Sequence, residues 1–459
     1  MTAPRSILLR FTTGMLAVAI TSGCAFQQIQ GRSLNRSAYP SLKDDDLAAV
    51  AAAGSRVERP WLKPVPVDFG QPLDGQAISL IAVVANPDLK ALRQRARVAD
   101  AQVYAAGLLP DPVISIGTDF VIGGPATAVA NTIAGSITQD LNALRTRGAA
   151  LAGAKSGARQ ARLDLAWAEW QTAGQARLLA ARARSLKVQL GLLDHLTRTA
   201  ADLRLRNQRA AGRGDIPGEQ LQAARLAEVD ALAQFNQGEI AEAQARANLN
   251  RQLGLPPGIS IALAPPSLPA DRPNCESIYS VARHRPDLEA LAAGFDAQSS
   301  AVRQAILARF PTLDLTINGS RNESGNRFLG PAVNLTLPLW NRGRGTLAVA
   351  LATRDALQTE YDARLFKMRA DISDLCIAEA ITTKQLAFAN TELPALESYA
   401  AATARAASRG DLAGSVADNA AMSVWSRRLL IEQLRQTRAE QLLGLEIASG
   451  TVMSAWGAQ

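Results

Sequence analysis

The chain of 459 residues has few of the side chains from which catalytic sites are built. It contains two histidines and three cysteines, and aromatic residues make up only 5% of it. His195 and His284 lie far apart, and neither stands in a metal-ligand motif. No CxxC, HExxH, phosphate-loop or nucleophile-elbow motif occurs. We therefore predict that the protein is not an enzyme and binds no cofactor and no metal.

Two further absences narrow the class of protein. Beyond the N-terminus, no apolar run approaches the roughly 20 residues that a transmembrane helix needs. The 49 basic residues outnumber the 41 acidic ones and give a net charge of +8, but this excess is dispersed. A nucleic-acid groove would interleave basic with aromatic residues. Nucleic acid is therefore not an expected partner.

The N-terminus has the layout of a bacterial secretory signal peptide, with a basic head and a short apolar stretch at residues 15–20. The stretch ends in Thr21-Ser22-Gly23-Cys24, which resembles a lipobox, although Thr21 stands where leucine is usual. We predict a signal peptide over residues 1–23 and acylation of Cys24. Ala25 follows the cysteine, and lipoproteins that lack aspartate there usually go to the outer membrane. The alternative is an ordinary secreted protein in which Cys24 is incidental.

The chain contains an internal duplication. The motif Asn86-Pro87-Asp88-Leu89 recurs as Arg285-Pro286-Asp287-Leu288. At nearly the same offset, Arg213-Gly214-Asp215 recurs as Arg409-Gly410-Asp411. Matched landmarks at almost one offset are typical of a repeated structural unit.

Proline-rich stretches separate the two copies from each other and from the N-terminal segment, and such stretches favour linkers. The predicted organisation comprises the signal peptide, a lipidated N-terminal segment and linker at 24–78, a first repeat at 79–255, a Pro-rich linker at 256–276, a second repeat at 277–450 and a C-terminal tail at 451–459.

Each repeat is predicted to contain a long helical hairpin. The segment between Pro125 and Pro217 lacks proline and is rich in strong helix formers. A helix from Gly148 to Gly212 would run about 95 Å at 1.5 Å per residue, and the segment from Gly345 to Arg409 has the same length. The chain that runs back from the turn after Gly212 toward the next strands must cover the same distance. We therefore predict that this return path consists of two helices stacked end to end, Glu219–Leu253 and Ile278–Phe310.

A stripe of six residues on the first return helix follows the coiled-coil spacing of three and four: Val229, Leu232, Asn236, Ile240, Ala243 and Ala247. Its alanines would let neighbouring helices approach closely. We expect this stripe to be a seam on which helices pack side by side. A plain coiled-coil rod is the alternative, but it leaves the strands unexplained.

Short strands are predicted at 113–120, 131–139, 312–319 and 328–337. Apolar and polar side chains alternate in them; Leu313 and Leu315, for example, oppose Asp314 and Thr316. This pattern is typical of a membrane β-barrel, although a soluble sheet with one wet face fits it equally well. Export and acylation favour the membrane.

Four strands cannot close a membrane barrel, for which eight is the practical minimum, and open sheet edges do not survive in lipid. The chain must therefore oligomerise. A dimer with eight strands and a trimer with twelve both satisfy this condition.

Two motifs resemble those of the TolC-type outer-membrane efflux family. The run Ala105-Ala106-Gly107-Leu108-Leu109-Pro110-Asp111-Pro112 resembles its helix-to-strand connection, and Leu337-Pro338-Leu339-Trp340-Asn341-Arg342-Gly343-Arg344-Gly345 resembles the exit from its fourth strand. The resemblance extends from about Ser79 to about Ser449. It implies a mainly α fold with a long periplasmic α-helical barrel and four β-strands per chain, closed as a trimeric twelve-stranded barrel.

The resemblance also implies a function. The chain would be a lipid-anchored channel-tunnel in the outer membrane that extends into the periplasm. As a homotrimer embedded in outer-membrane lipid, it would passively conduct small molecules or ions from a periplasmic adaptor and an inner-membrane pump of the RND type. A type I protein-secretion conduit and a non-channel periplasmic scaffold lipoprotein are the alternatives.

By resemblance, Arg213-Gly214-Asp215 and Arg409-Gly410-Asp411 are the periplasmic tips that dock the adaptor. The family usually carries an apolar residue before the glycine, whereas this chain has basic tips that comprise Arg206, Arg209, Arg213, Arg405 and Arg409. The acidic gate of the family falls on Gln220 and Val416 here, so Glu219 and Asp418 are the nearby gate candidates.

The remaining cysteines form a predicted pair. Counted along their helices, Cys275 and Cys376 lie roughly 54 and roughly 47 Å from the barrel, which puts them at a similar height. Because the periplasm is oxidising, we predict a Cys275–Cys376 disulfide. Alternatively, Cys376 is a small apolar seam residue and Cys275 a chance thiol in a loop.

Overall fold

The computed structural model describes residues 44–120, 122, 132–256, 258–269, 273–321 and 325–456. The predicted signal peptide and Cys24 lie outside these residues. Helices dominate the described chain and one small sheet accompanies them, so the predicted mainly helical fold is confirmed. None of the described helices is long and apolar enough to cross a membrane.

The helices and strands are numbered here in chain order. The helices are α1 (Asp44–Gly54), α2 (Gly75–Ala85), α3 (Pro87–Gly107), α4 (Asn142–Gly212), α5 (Gly218–Leu253), α6 (Cys275–Ala282), α7 (Pro286–Leu307), α8 (Arg344–Ser408) and α9 (Gly414–Ser449), followed by a 3-10 turn at Met453–Ala455. The strands are β1 (Val113–Asp119), β2 (Thr132–Asp140), β3 (Thr312–Arg321) and β4 (Arg327–Thr336). The order helix, two strands, long helix and return helix thus occurs twice, as α3-β1-β2-α4-α5 and as α7-β3-β4-α8-α9.

Helix α4 is the central element, with 71 residues and a length of roughly 105 Å. It begins at Asn142 rather than at Gly148, because the Asp140 carboxylate accepts hydrogen bonds from the backbone N–H groups of Asn142 and Ala143 and so satisfies the first turn. The half of α4 near the sheet packs against α3 and α7, and the half near the turns packs against α5 and α9.

Small residues set the distance between α4 and its neighbours. Ala173, Ala176 and Ala200 are completely buried. A Cβ atom added at Gly174 would lie 2.4 Å from the Ile447 Cγ1 atom of α9, which no real contact allows. The two helix backbones therefore lie as close as they do only because position 174 has no side chain.

The first return path differs from the prediction at one point. A continuous helix was expected over 278–310, but the chain forms α6 and α7 with a break at 283–285. Pro286 causes the break, since proline has no N–H to donate and disfavours helical backbone at the residue before it. Arg285 accordingly has ψ 139°. By contrast, Pro394 lies inside α8, and the helix continues through it.

The four strands form one antiparallel sheet in the order β1-β2-β3-β4, and the predicted strands are confirmed with shifts of one or two residues at their ends. The register places Ile137 opposite both Ile114 and Ile317. One face is thus apolar and carries Ile114, Ile116, Ile133, Ile137, Leu313, Leu315, Ile317, Leu329, Val333 and Leu335, all of them exposed. The other face carries mainly serine, threonine, asparagine and aspartate.

The predicted seam on α5 does not face a neighbouring helix within the chain. All six residues of the stripe, from Val229 to Ala247, are exposed. The side of α5 that packs inward is instead formed by Ala224, Ala231, Ala245 and Leu249. The 3-4 spacing identified a real stripe, but the sequence pattern alone could not tell an inward from an outward face.

The sequence did not predict two helices, α1 in the N-terminal segment and α2 across the boundary between that segment and the first predicted repeat. Leu80 and Ile81 of α2 are fully buried against alanines near the middle of α4 and against Leu249 and Leu253 of α5. Trp61 meets Trp170 of α4 edge to face, with 5.0 Å between the ring centroids. The N-terminal segment and the start of the first predicted repeat therefore together contribute a hydrophobic core halfway along the long helix.

A buried ion pair fixes this segment to α4. Glu169 is 3% exposed, and its carboxylate accepts two hydrogen bonds from Arg59, of 2.6 and 3.0 Å, and two from Arg93, of 2.7 and 3.2 Å. Burial opposes ionisation of the carboxyl group, but the hydrogen bonds from Arg59 and Arg93 outweigh it and lower the pKa of Glu169.

We predict that Glu169→Gln loosens the N-terminal segment by about 2 kcal/mol, because it leaves two partly buried guanidinium groups without a counter-charge. Hydrogen exchange should show faster exchange of the α2 amides at neutral pH. A carboxyl group with a lowered pKa stabilises the fold above its ordinary value of 4.5 and loses that effect as the pH falls, so wild type and variant should converge in acid.

Glu289→Gln is the matched control, because its ion pair with Arg159 is solvent-exposed and should contribute little. Equal protection of α2 in wild type and Glu169→Gln at pH 7 would contradict the role of this pair.

Candidate functional site

The two predicted tips are helix-ending turns of the same geometry. After α4, the Asp215 N–H donates to the Ala210 carbonyl at 2.9 Å, and Gly214 has φ +78°. After α8, the Asp411 N–H donates to the Ala406 carbonyl at 2.9 Å, and Gly410 has φ +82°. These bonds define a Schellman motif, in which glycine supplies the left-handed conformation that other residues rarely adopt.

Each tip carries an ion pair within its own turn. The Arg213 Nε atom lies 2.7 Å from the Asp215 carboxylate, and the Arg409 Nε atom lies 2.9 Å from the Asp411 carboxylate. All four side chains are more than half exposed. The sequence predicted basic tips, but in the structure two of their arginines are locally balanced by aspartates.

The two tips lie side by side because α4 and α9 are in contact there. The Arg206 Nε atom on α4 lies 2.8 Å from the Asp418 Oδ2 atom in the second turn of α9. A Cβ atom at Gly414 would lie 3.1 Å from the Arg206 Nη1 atom, so this arginine lies over the start of α9. The pair joins one helical hairpin to the other near the end where both turn.

The two gate candidates have different environments. Asp418 is buried, and its burial raises its pKa; Arg206 opposes this effect, and the nearby Asp202 reinforces it. Glu219 is exposed in the first turn of α5. Within the described part of the chain, Asp418 therefore takes part in an inter-helix ion pair, whereas Glu219 does not. The sequence identified Arg206 only as part of a basic tip, and Asp202 was not singled out.

The two remaining cysteines meet between α6 and α8. The Cα atoms of Cys275 and Cys376 lie 6.4 Å apart, within the range that a disulfide needs, and the sulfur atoms are bonded. Ile278, Met368 and Leu445 are buried around them. The height argument from the sequence thus agrees with this geometry, although the helix leading from Cys275 is interrupted at Pro286.

The histidines have structural surroundings. The His195 ring on α4 stacks on Trp425 of α9, with 4.6 Å between the ring centroids and 9° between the planes. Among the described residues, no group of three or more His, Cys, Asp or Glu side chains is arranged to hold a metal ion. The features that stand out are instead the exposed apolar face of the sheet, the paired tips and the ion pair above them.

Comparison with known proteins was made on sequence and on structure. Residues 277–451 match the family model of the outer membrane efflux proteins. A segment of 158 residues, 32% of this chain, is 32% identical to Protein CyaE of Bordetella pertussis, and the match spans about a third, 33%, of that protein's length.

The fold is also similar to solved structures of outer-membrane channels. The CmeC outer membrane channel of Campylobacter jejuni aligns with a TM-score of 0.68 at 15% identity, covering 86% of this chain and 90% of that one. The outer membrane protein VceC of Vibrio cholerae aligns with a TM-score of 0.67 at 15% identity, covering 83% and 99%. At such low identity, the TM-scores show a common fold and no more than that.

The resemblance inferred from the two strand-flanking motifs is confirmed by these comparisons. The family match covers the whole of the second predicted repeat, from the third residue of α6 to just past the end of α9. Residues 277–451 thus match the outer membrane efflux protein family, and the chain shares its fold with solved outer-membrane channels.

Proposed function

We propose that the protein is the outer-membrane channel-tunnel of a tripartite efflux system and passively conducts small molecules or ions to the exterior. The observation that carries this proposal is a four-stranded sheet with one apolar, exposed face and one polar face, joined to helices of roughly 100 Å. An apolar outer face suits lipid, and a polar inner face suits a water-filled lumen.

We further propose that three copies close the channel. Helices α5-α4-α9-α8 pack side by side in this order, which leaves α5 and α8 at the two edges of the array. Both edge helices present exposed apolar stripes, the predicted seam on α5 and Ile377, Ile381, Phe388 and Tyr399 on α8. Strands β1 and β4 are likewise the sheet edges. A trimer would pair all these edges and form a twelve-stranded barrel from two internal repeats per chain.

The remaining parts of the proposal concern anchoring and partners. Acylation of Cys24 after removal of residues 1–23 would tether the protein to the outer membrane, with the helices in the periplasm. The paired tips would dock a periplasmic adaptor that is coupled to an inner-membrane pump of the RND type. The twin Schellman turns support this role because they present matching backbone and charge patterns side by side.

A bilayer experiment tests the channel. The purified protein should migrate as a trimer after cross-linking and should give discrete single-channel conductance in a planar bilayer. Disruption of the Arg206–Asp418 pair by Arg206→Ala should raise the open probability if this pair holds the tunnel end closed. A monomer with intact β signal, or a trimer without conductance in both proteins, would contradict the channel and favour a scaffold role.

The tips give a second prediction. Arg213→Glu combined with Arg409→Glu should weaken adaptor binding on the order of tenfold at low salt and less at high salt, because charge steering is screened. The control, Arg213→Gln with Arg409→Gln, removes the turn pairs without reversing charge and should have a smaller effect. Unchanged adaptor pull-down with intact trimers would show that the tips are not the interface.

Thiol counting tests acylation and disulfide formation together. We expect no maleimide-reactive thiol in the unfolded, non-reduced protein, because Cys24 is modified and Cys275 is bonded to Cys376. Reduction should release two thiols. Two thiols before reduction would rule out the disulfide, and a third after reduction would rule out acylation. Metabolic labelling with palmitate should be lost in Cys24→Ser.

A further inference from the structure

The segments that join the helices to the sheet carry a second exposed surface, which we call the junction patch. It consists of Arg309 and Phe310 from the α7–β3 connection together with Leu339, Trp340, Arg342 and Arg344 from the β4–α8 connection. The two connections meet, since a Cβ atom added at Gly343 would lie 3.1 Å from the Arg309 Cγ atom. The patch therefore combines residues from both ends of the β3–β4 hairpin.

The apolar members of the junction patch are unusually exposed. Trp340 is 92% exposed, Leu339 58% and Phe310 54%. Leu339 and Leu337 continue the alternation of Val333 and Leu335, which lie on the apolar face of the sheet. The apolar face thus extends past the end of β4 and finishes at a tryptophan, the residue typical of the border between hydrocarbon and headgroups.

The arginines of the patch have no structural task among the described residues. The neighbouring Arg145 donates to the Pro311 carbonyl and lies over the Phe310 ring, and Arg147 donates to the Gly107 carbonyl. In contrast, the guanidinium groups of Arg309, Arg342 and Arg344 have no hydrogen bond or ion pair within the described part of the chain, and all three side chains are exposed.

The backbone at Arg342 strengthens this contrast. Arg342 has φ +49°, and it is the one non-glycine residue with positive φ in the described ranges. Side chains rarely adopt this conformation, for which asparagine or glycine is the ordinary choice. An arginine here, without any partner in the fold, points to a ligand outside it.

We propose that the junction patch binds the headgroups of anionic phospholipids in the inner leaflet of the outer membrane, an inference that rests on the proposed membrane insertion of the sheet. Guanidinium groups bind phosphate oxygens in bidentate fashion, and a tryptophan beside them sits at headgroup depth. The arginines come just beyond the apolar band, where the chain passes from the sheet to the helices. A lipid leaflet is therefore the occupant that matches both the charge and the apolar border.

The test uses full-length protein in a neutral detergent that is incubated with equal amounts of phosphatidylglycerol and phosphatidylcholine. Native mass spectrometry then measures the ratio of the two lipids retained. Wild type should prefer phosphatidylglycerol, and each arginine removed should reduce this preference by about fivefold. Arg342→Asn with Arg344→Gln is the main variant, because asparagine tolerates the left-handed conformation at position 342. Arg309→Gln probes the same patch from the other connection.

The matched control is Arg321→Gln with Arg327→Gln. These two arginines are register partners on β3 and β4 at the opposite end of the sheet. The control removes two positive charges, as the main variant does, but away from the junction patch. The control should keep the wild-type preference.

Loss of the preference in the control as well, or its retention in both patch variants, would overturn the proposal. Conductance in pure phosphatidylcholine bilayers separates the two claims. Channels without lipid preference would refute only the junction patch, whereas no insertion at all would refute the proposed function.

Discussion

The close packing of small residues along α4 is the constraint on which the rest of the structure depends. A helix of 71 residues has far more side-chain surface than two neighbours of ordinary length could cover, and here four helices in two stacked pairs cover its flanks. Alanine and glycine at the contacts bring the backbones together into a side-by-side array in which α5 and α8 do not pack against each other. Such an array leaves two edges unpaired within the chain, and these are the edges that the proposed trimer would join.

Near the middle of the array, buried ion pairs fix how the helices are aligned with one another. Besides Glu169 with Arg59 and Arg93, Arg177 pairs with Glu446 between α4 and α9, and Arg438 pairs with the fully buried Glu379 between α9 and α8. Helix contacts formed by alanine have few protruding side chains and therefore only weakly specify how far one helix is shifted along the other. Buried ion pairs penalise any shift along the seam, because displacement would leave a carboxylate unpaired in a dry interface. They therefore fix the register that alanines alone leave loose.

Much of this architecture follows from the sequence, and the misses have identifiable causes. Helix lengths and strand faces were predictable because they depend on local periodicity, propensity and the positions of proline and glycine. The break at Pro286 was missed because a long periodic segment outweighed one local signal. Helix α1 was missed because prolines marked residues 24–78 as a linker, and α2 because it crosses the predicted boundary at residue 79. The α5 stripe was found, but the sequence did not show that it points away from the rest of the chain, since periodicity reveals a face and not what covers it. The Arg206–Asp418 contact joins residues distant in sequence, and no local pattern could have paired them.

The crosslink between Cys275 and Cys376 has a mechanical consequence. It joins α8 near its midpoint to the short helix α6, so this 65-residue helix is held at a fixed point between the sheet and the tip. A bend of α8 between Cys376 and the tip would move the tip sideways. The half of α8 nearer the sheet, and the strands attached to it, would stay in place. Motion at the tip end of α8 would therefore not have to displace the strands at its other end.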